Sequence, residues 1–129
     1  MMKKMIMDGI NSVILICGDR NWSNYKSIEE FLTPLDRNTI IVTGGGRGAD
    51  LIAIELAKKL LFKQVLTFYA EWSIYGRAAG PIRNRKMFNE IQPNLVVAFH
   101  NNLDNSKGTK DMVNYAKSKQ CNVLVIKTN

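Results

Sequence analysis

The sequence predicts an α/β fold, a three-layer sandwich with a mainly parallel five-stranded sheet, and three observations carry that expectation. Five short runs of apolar and β-branched residues, at 13–17, 39–43, 64–70, 95–99 and 122–127, recur along the 129 residues. The segments between them repeat apolar residues every three or four positions, the spacing of one helix face. Strands that alternate with helices pair in parallel through right-handed crossovers, and those crossovers lay helices on both faces of the sheet. The third observation is the glycines: Gly18, Gly44, Gly45, Gly46, Gly48, Gly76, Gly80 and Gly108, all but one of the chain's 9, fall in segments that follow a strand. In a parallel sheet those segments share the carboxyl edge, where ligands bind.

Each element has its own warrant. Residues 1–11 read as a loosely held tail. VILIC at 13–17 is continuously apolar, as a strand buried on both faces must be. A helix is expected from Ser23 or Tyr25 to Leu32, stopped by Pro34. TIIVT at 39–43 is the second strand. Ala49, Ile52, Ala53, Leu56, Ala57 and Leu60 then share one helix face, and alanines four apart let that helix sit close on the sheet. Leu51, Ile54 and Leu61 form a second apolar stripe, read as a contact with a second subunit in a homodimer. QVLTFYA at 64–70 is the third strand, and 71–81 is expected to be a loop, longer than the connection needs and therefore functional. Pro81 suits the first turn of the next helix, in which Asn84, Met87, Phe88 and Ile91 share an inward face. LVVAF at 95–99, a polar loop to Gly108, a helix over 109–119 and NVLVIK at 122–127 complete one domain, 46% apolar and large enough to bury a core.

The chain is organised around IIVTGGGRGADLIA. A β-branched strand stops at Gly44-Gly45-Gly46, and a helix starts just after Gly48. Glycines without Cβ allow close backbone approach, and the helix aims its positive dipole end at the same point, a chemistry suited to phosphate. The pattern is neither the P-loop, since no Gly-Lys-Ser/Thr follows, nor the dinucleotide fingerprint, since the spacing is GGGxG. A turn that only brings helix and strand together is the plainer alternative.

The formal charge of +7 is spread over scattered lysines with no long basic run, so an extended nucleic-acid groove is not legible. The arginines are informative: Arg20, Arg47, Arg77, Arg83 and Arg85 lie in or beside segments after strands, and only Arg37 lies elsewhere. Arginine grips phosphate bidentately. Two cysteines, Cys17 and Cys121, build no disulfide framework and read as reduced thiols. No stretch approaches a membrane span, so a cytoplasmic protein with no membrane partner is expected. His100 stands alone, so neither a metal nor a cofactor is expected.

Candidate site residues follow from this edge. Gly18, Asp19, Arg20, Trp22, Gly44, Gly45, Gly46, Arg47, Gly48, Asp50, Trp72, Tyr75, Arg83, Asn84, Arg85, Gly108 and Thr109 are the candidate ligand contacts. Trp22, Trp72 and Tyr75 offer faces for a base or sugar, and Thr109 reads as a helix cap able to donate to phosphate. Glu71 and Asp50 are the candidates for general acid or base. Asp50 in a first helical turn is also favoured on dipole grounds alone, Asp19 also suits a turn, and Arg83 and Arg85 could instead pair with Glu71 and Asp19.

CGDRNW, VTGGGRGADLIA, the FYAEWSIYG-RAAGPIRNRKM stretch and LVVAF followed by KGTKDMV resemble, in order and over about residues 12–127, the YspA-like branch of the SLOG superfamily. The resemblance implies a Rossmann-like fold and the sensing or processing of a nucleotide-derived ligand. The superfamily also includes the Lonely-guy phosphoribohydrolases, which cleave nucleoside monophosphates at the N-glycosidic bond, and DprA, which binds single-stranded DNA. Gly44-Gly45-Gly46 and Arg85-Lys86 resemble two motifs of those hydrolases. Their PGGxGTxxE motif is matched here only by Gly108-Thr109, with Met112 at the glutamate position and Asp111 about 100° around the helix from it. Nucleotide binding is therefore the leading expectation, with single-stranded nucleic-acid binding and N-glycosidic cleavage as alternatives.

Overall fold

The computed structural model describes residues 12–128, so the expected tail at 1–11 lies outside the described residues. The strands are β1 (Val13–Gly18), β2 (Ile40–Thr43), β3 (Gln64–Thr67), β4 (Leu95–Phe99) and β5 (Asn122–Ile126). The helices are α1 (Tyr25–Leu32), α2 (Ala49–Lys59), the four-residue α3 (Trp72–Tyr75), α4 (Ala79–Ile91) and α5 (Gly108–Ser118). All strand pairs are parallel, in the order β3-β2-β1-β4-β5. The fold is the expected Rossmann-like three-layer sandwich, and its sheet is parallel throughout rather than mainly so.

Alternation along the central strands builds two cores. Ile14 and Ile16 of β1, with Val97 and Phe99 of β4, face the layer of α1 and α2; Leu15 and Cys17, with Val96 and Ala98, face α4 and α5. Ala49, Ala53 and Ala57 are fully buried, which lets α2 lie close on the sheet: a Cβ on Gly18 would come within 2.7 Å of Ala49 Cβ and 2.5 Å of the Phe99 carbonyl. Chain order places both α1 and α2 before β3 and both α4 and α5 after it, so the layers change between β1 and β4. That switch point fixes where the loops open.

The structure corrects three boundaries. β3 ends at Thr67, not at residue 70, because its partner β2 turns into the glycines: the Phe68 amide takes the last ladder bond, to the Thr43 carbonyl. Residues 71–81 are not an open loop. They form α3, a 3-10 turn at Gly76–Ala78 and the start of α4, broken from one another by Gly76 at φ 57°. The last helix starts at Gly108, and the Ser106 hydroxyl, not Thr109, accepts the first-turn amide. Among the described residues no helix is long and apolar enough to cross a membrane.

Candidate functional site

The glycine turn is built from the sequence upward. Gly45 and Gly48 adopt φ of 72° and 67°, the left-handed region that a side chain disfavours. Gly48 is also pressed against the backbone of Asp19 and Arg20, which leaves no room for a Cβ, whereas a Cβ on Gly44 would push on the Arg83 guanidinium. The Asp19 carbonyl accepts both the Trp22 amide and the first amide of α2, from Ala49, each at 3.1 Å. The segment after β1 is thereby stitched to the start of α2.

The first three glycine amides turn inward rather than towards an open cleft. Gly45 donates to Thr43 Oγ1 at 3.1 Å, and Gly46 to Asp50 Oδ2 at 3.1 Å. The next amides, of Arg47, Gly48, Asp50 and Leu51, find no acceptor among the described residues. Open donors therefore sit at the start of α2, beside a shallow depression lined by Arg20, Asn21, Gly48 and Leu51.

Asp50 is buried at 8% exposure, and burial pushes its carboxyl up to about 6. The Gly46 amide, Arg83, the Gly44 amide and Arg20 act in the opposite direction, in that order of strength. Arg83 is a strut. Its NH1 donates to the carbonyls of Gly44 (2.6 Å) and Phe68 (3.1 Å), and its Nε donates to Asn84 Oδ1 at 3.0 Å, so it ties the ends of β2 and β3 to α4. Burial lowers its pKa and the Asp50 charge raises it. Across the opening, the exposed Arg20 guanidinium lies 5.8 Å from the centroid of the half-exposed Trp72 ring.

The structure thus brings together Gly44, Gly45, Gly46, Gly48, Asp50, Arg20, Arg83 and Trp72. Arg47, Glu71 and Tyr75 are exposed in the same set of segments, and Gly108 opens onto free space at the start of α5. Other candidates are committed elsewhere. Trp22 is no open face: it is 6% exposed, packs edge-on against Phe99 at 5.7 Å, and spends its indole N–H on the Asn24 carbonyl and the Ser27 hydroxyl. Asp19 Oδ1 accepts the Asn21 amide in a local turn. The Thr109 hydroxyl donates to the Gly18 carbonyl at 3.0 Å, so its proton is not available to phosphate. Gly18 is packed beneath it.

Arg85 pairs with neither Glu71 nor Asp19. Its NH1 reaches Asp111 Oδ2 at 2.7 Å and its guanidinium covers Tyr115 at 4.5 Å, while Asn84, 4% exposed, donates to the same carboxylate at 3.1 Å. The spacing sets Asp111 off the face of the buried Thr109 and Met112, as found, but it missed the Asn84 and Arg85 partners, which depend on how α5 packs against α4. It also missed Tyr69, 71% exposed, whose ring stands against Gly45. Its place just after β3, beside the glycine turn, was the available signal. Among the described residues no cluster of His, Cys, Asp and Glu could hold a metal. No family model, curated protein or solved structure matches the chain.

Proposed function

We propose that the protein binds a nucleotide or nucleotide-derived phosphate ligand at the carboxyl edge, between the glycine turn and Trp72, as a member of the YspA-like branch of the SLOG superfamily. The observation that carries the reading is the meeting of Arg20, the half-exposed Trp72 ring and the open amides at the start of α2. A helix terminus contributes only about 0.3–1 kcal/mol to an exposed anion, whereas micromolar affinity needs about 8 kcal/mol. The remainder falls to the Arg20 and Arg47 guanidinium groups and to stacking of a base on Trp72 or Tyr75. The test is thermal stability against nucleoside mono-, di- and triphosphates, cyclic nucleotides, ADP-ribose and a short oligonucleotide. A ligand at 100 times its dissociation constant adds about 2.7 kcal/mol, and the absence of a shift with every nucleotide removes the assignment.

Two further readings have an observation each. The exposed run Tyr69, Trp72, Ile74, Tyr75 with Arg77 favours single-stranded nucleic acid, and a shift with the oligonucleotide alone would select it. The buried Asp50, titrating near 6, favours catalysis, with Asp50 or Glu71 assisting attack of water at the ribose C1′. Free base released from a nucleotide and lost in Asp50→Asn or Glu71→Gln would select that version. The half-exposed Leu51 and the exposed Leu61 support a homodimer through the outer stripe of α2, and the free cysteines Cys17 and Cys121 accord with a cytoplasmic setting.

A further inference from the structure

The glycine turn already holds an anion of its own. Asp50 folds back from the first turn of α2 so that Oδ2 accepts the Gly46 amide, and the Gly44 amide pulls on the same carboxylate. The groups that face it are Cys17 from β1, Arg20 from the segment after β1 and Arg83 from α4. Burial and the Asp50 charge both push the Cys17 thiol up, so it stays neutral. Neither arginine closes an ion pair on Asp50; the ion pairs among the described residues are Arg85 with Asp111 and Lys110 with Asp104. Two cations held at a distance and two inward amides thus surround a carboxylate that occupies the anion seat of the turn.

Resting on the phosphate-binding reading above, we infer that Asp50 is the resident anion of the glycine turn and that a ligand anion enters only as Asp50 takes up a proton. An ionised Asp50 beside a phosphate dianion would set a second negative charge against a buried carboxylate, where screening of their repulsion is weak. A proton taken from solvent forms the Asp50 O–H, removes that repulsion and weakens the hold of the carboxyl on the Gly46 amide, which a ligand anion then competes for. No bond to the ligand forms or breaks. Because the unliganded carboxyl titrates near 6, the competent form is scarce at pH 8 and dominant at pH 5. Apparent affinity scales with the competent fraction, so binding tightens about 100-fold over that interval.

Sulfate is the probe, because its charge does not change between pH 5 and pH 8. Backbone amide spectra of the wild-type chain and of Asp50→Asn would be followed through sulfate titrations, with calorimetry in buffers of different ionisation enthalpy. The expected result is a sulfate-dependent shift of the Gly46 amide, affinity about 100-fold tighter at pH 5 than at pH 8, and about one proton taken up per sulfate at pH 7 to 8. In Asp50→Asn, whose side-chain oxygen still accepts the Gly46 amide, the pH dependence disappears. Equal affinity at both pH values, no proton uptake, a Gly46 amide unmoved by sulfate at any pH, or an unchanged profile in Asp50→Asn each overturns the inference. If Asp50→Asn does not fold, the unliganded wild-type Gly46 amide decides: a titration with midpoint near 6 supports it and a flat one overturns it. Proton-coupled sulfate entry that no nucleotide competes away would sustain the inference and remove the nucleotide reading.

Discussion

Asp50 carries a stability consequence that is separate from any ligand. Its folded-state carboxyl lies at about 6 against an unfolded value of 3.8, so between those values the folded chain holds more proton than the unfolded chain. Stability therefore falls as pH rises from about 4 to about 6 and is level beyond, a change of about 3 kcal/mol from this group alone. Urea unfolding of wild type and Asp50→Asn should show their difference in stability shifting by that amount across the interval, with the wild type losing ground as pH rises. Coincident profiles would mean that the carboxyl is solvated in the folded state. At Arg83 the expectation is a stability loss of about 1.5–3 kcal/mol for Arg83→Met, since two loop carbonyls lose a charged donor. Arg83→Lys should recover part of it, because one ammonium in the place of NH1 can donate to both carbonyls, whereas the Nε bond to Asn84 Oδ1 is lost. A substitution that leaves the denaturation midpoint unmoved would show that the strut is dispensable.

At the level of elements, how much could be read from the chain depended on how local the cause was. The apolar runs of β1 and β4 alternate between two cores whatever lies around them, so their positions were legible to within a residue. The sequence carries β3 three residues too far because Phe68 and Tyr69 have strand propensity but, like Ala70, no partner once β2 becomes Gly44-Gly45-Gly46. The presence of a glycine turn was legible, but the direction of its amides was not, since that depends on Asp50 folding back onto Gly46. The Arg85–Asp111 tie was likewise invisible, because it depends on how α4 and α5 pack. This pair is half-exposed, and a double-mutant cycle should return a coupling of only about 0.2–1 kcal/mol. Gly48 is the stricter junction between elements. Gly48→Ala combines a positive φ with a collision against the backbone of Asp19 and Arg20, and should cost at least about 1–3 kcal/mol. Unfolding measurements on Gly48→Ala, with Gly108→Ala as the comparison at an open position, would show whether the turn is that rigid; equal costs would refute it.

Across the whole molecule the two tryptophans divide the work between core and surface, and that division makes the site measurable. Trp22 sits edge-on against Phe99 beneath the segment after β1, with its indole N–H bonded, so little of its ring is left to a ligand even though it borders the depression beside Arg20. Trp72 stands half-exposed on α3 across from Arg20, with its ring edge over Gly80. If a base stacks there, Trp72→Ala should weaken nucleotide binding by about 1–3 kcal/mol, roughly 5- to 150-fold, since that is what one stacked base contributes. The fold should barely notice, because the ring belongs to neither core. Intrinsic fluorescence offers a second readout: nucleotide binding should quench the wild-type emission, and Trp72→Phe should abolish the quench while keeping the buried Trp22 signal. A quench that survives Trp72→Phe would place the ligand in the depression that Trp22 borders, beside Arg20 and Leu51. Unchanged nucleotide affinity in Trp72→Ala would move the ligand away from α3, to the depression between Arg20 and Leu51, where the half-exposed Tyr25 is the stacking face on offer.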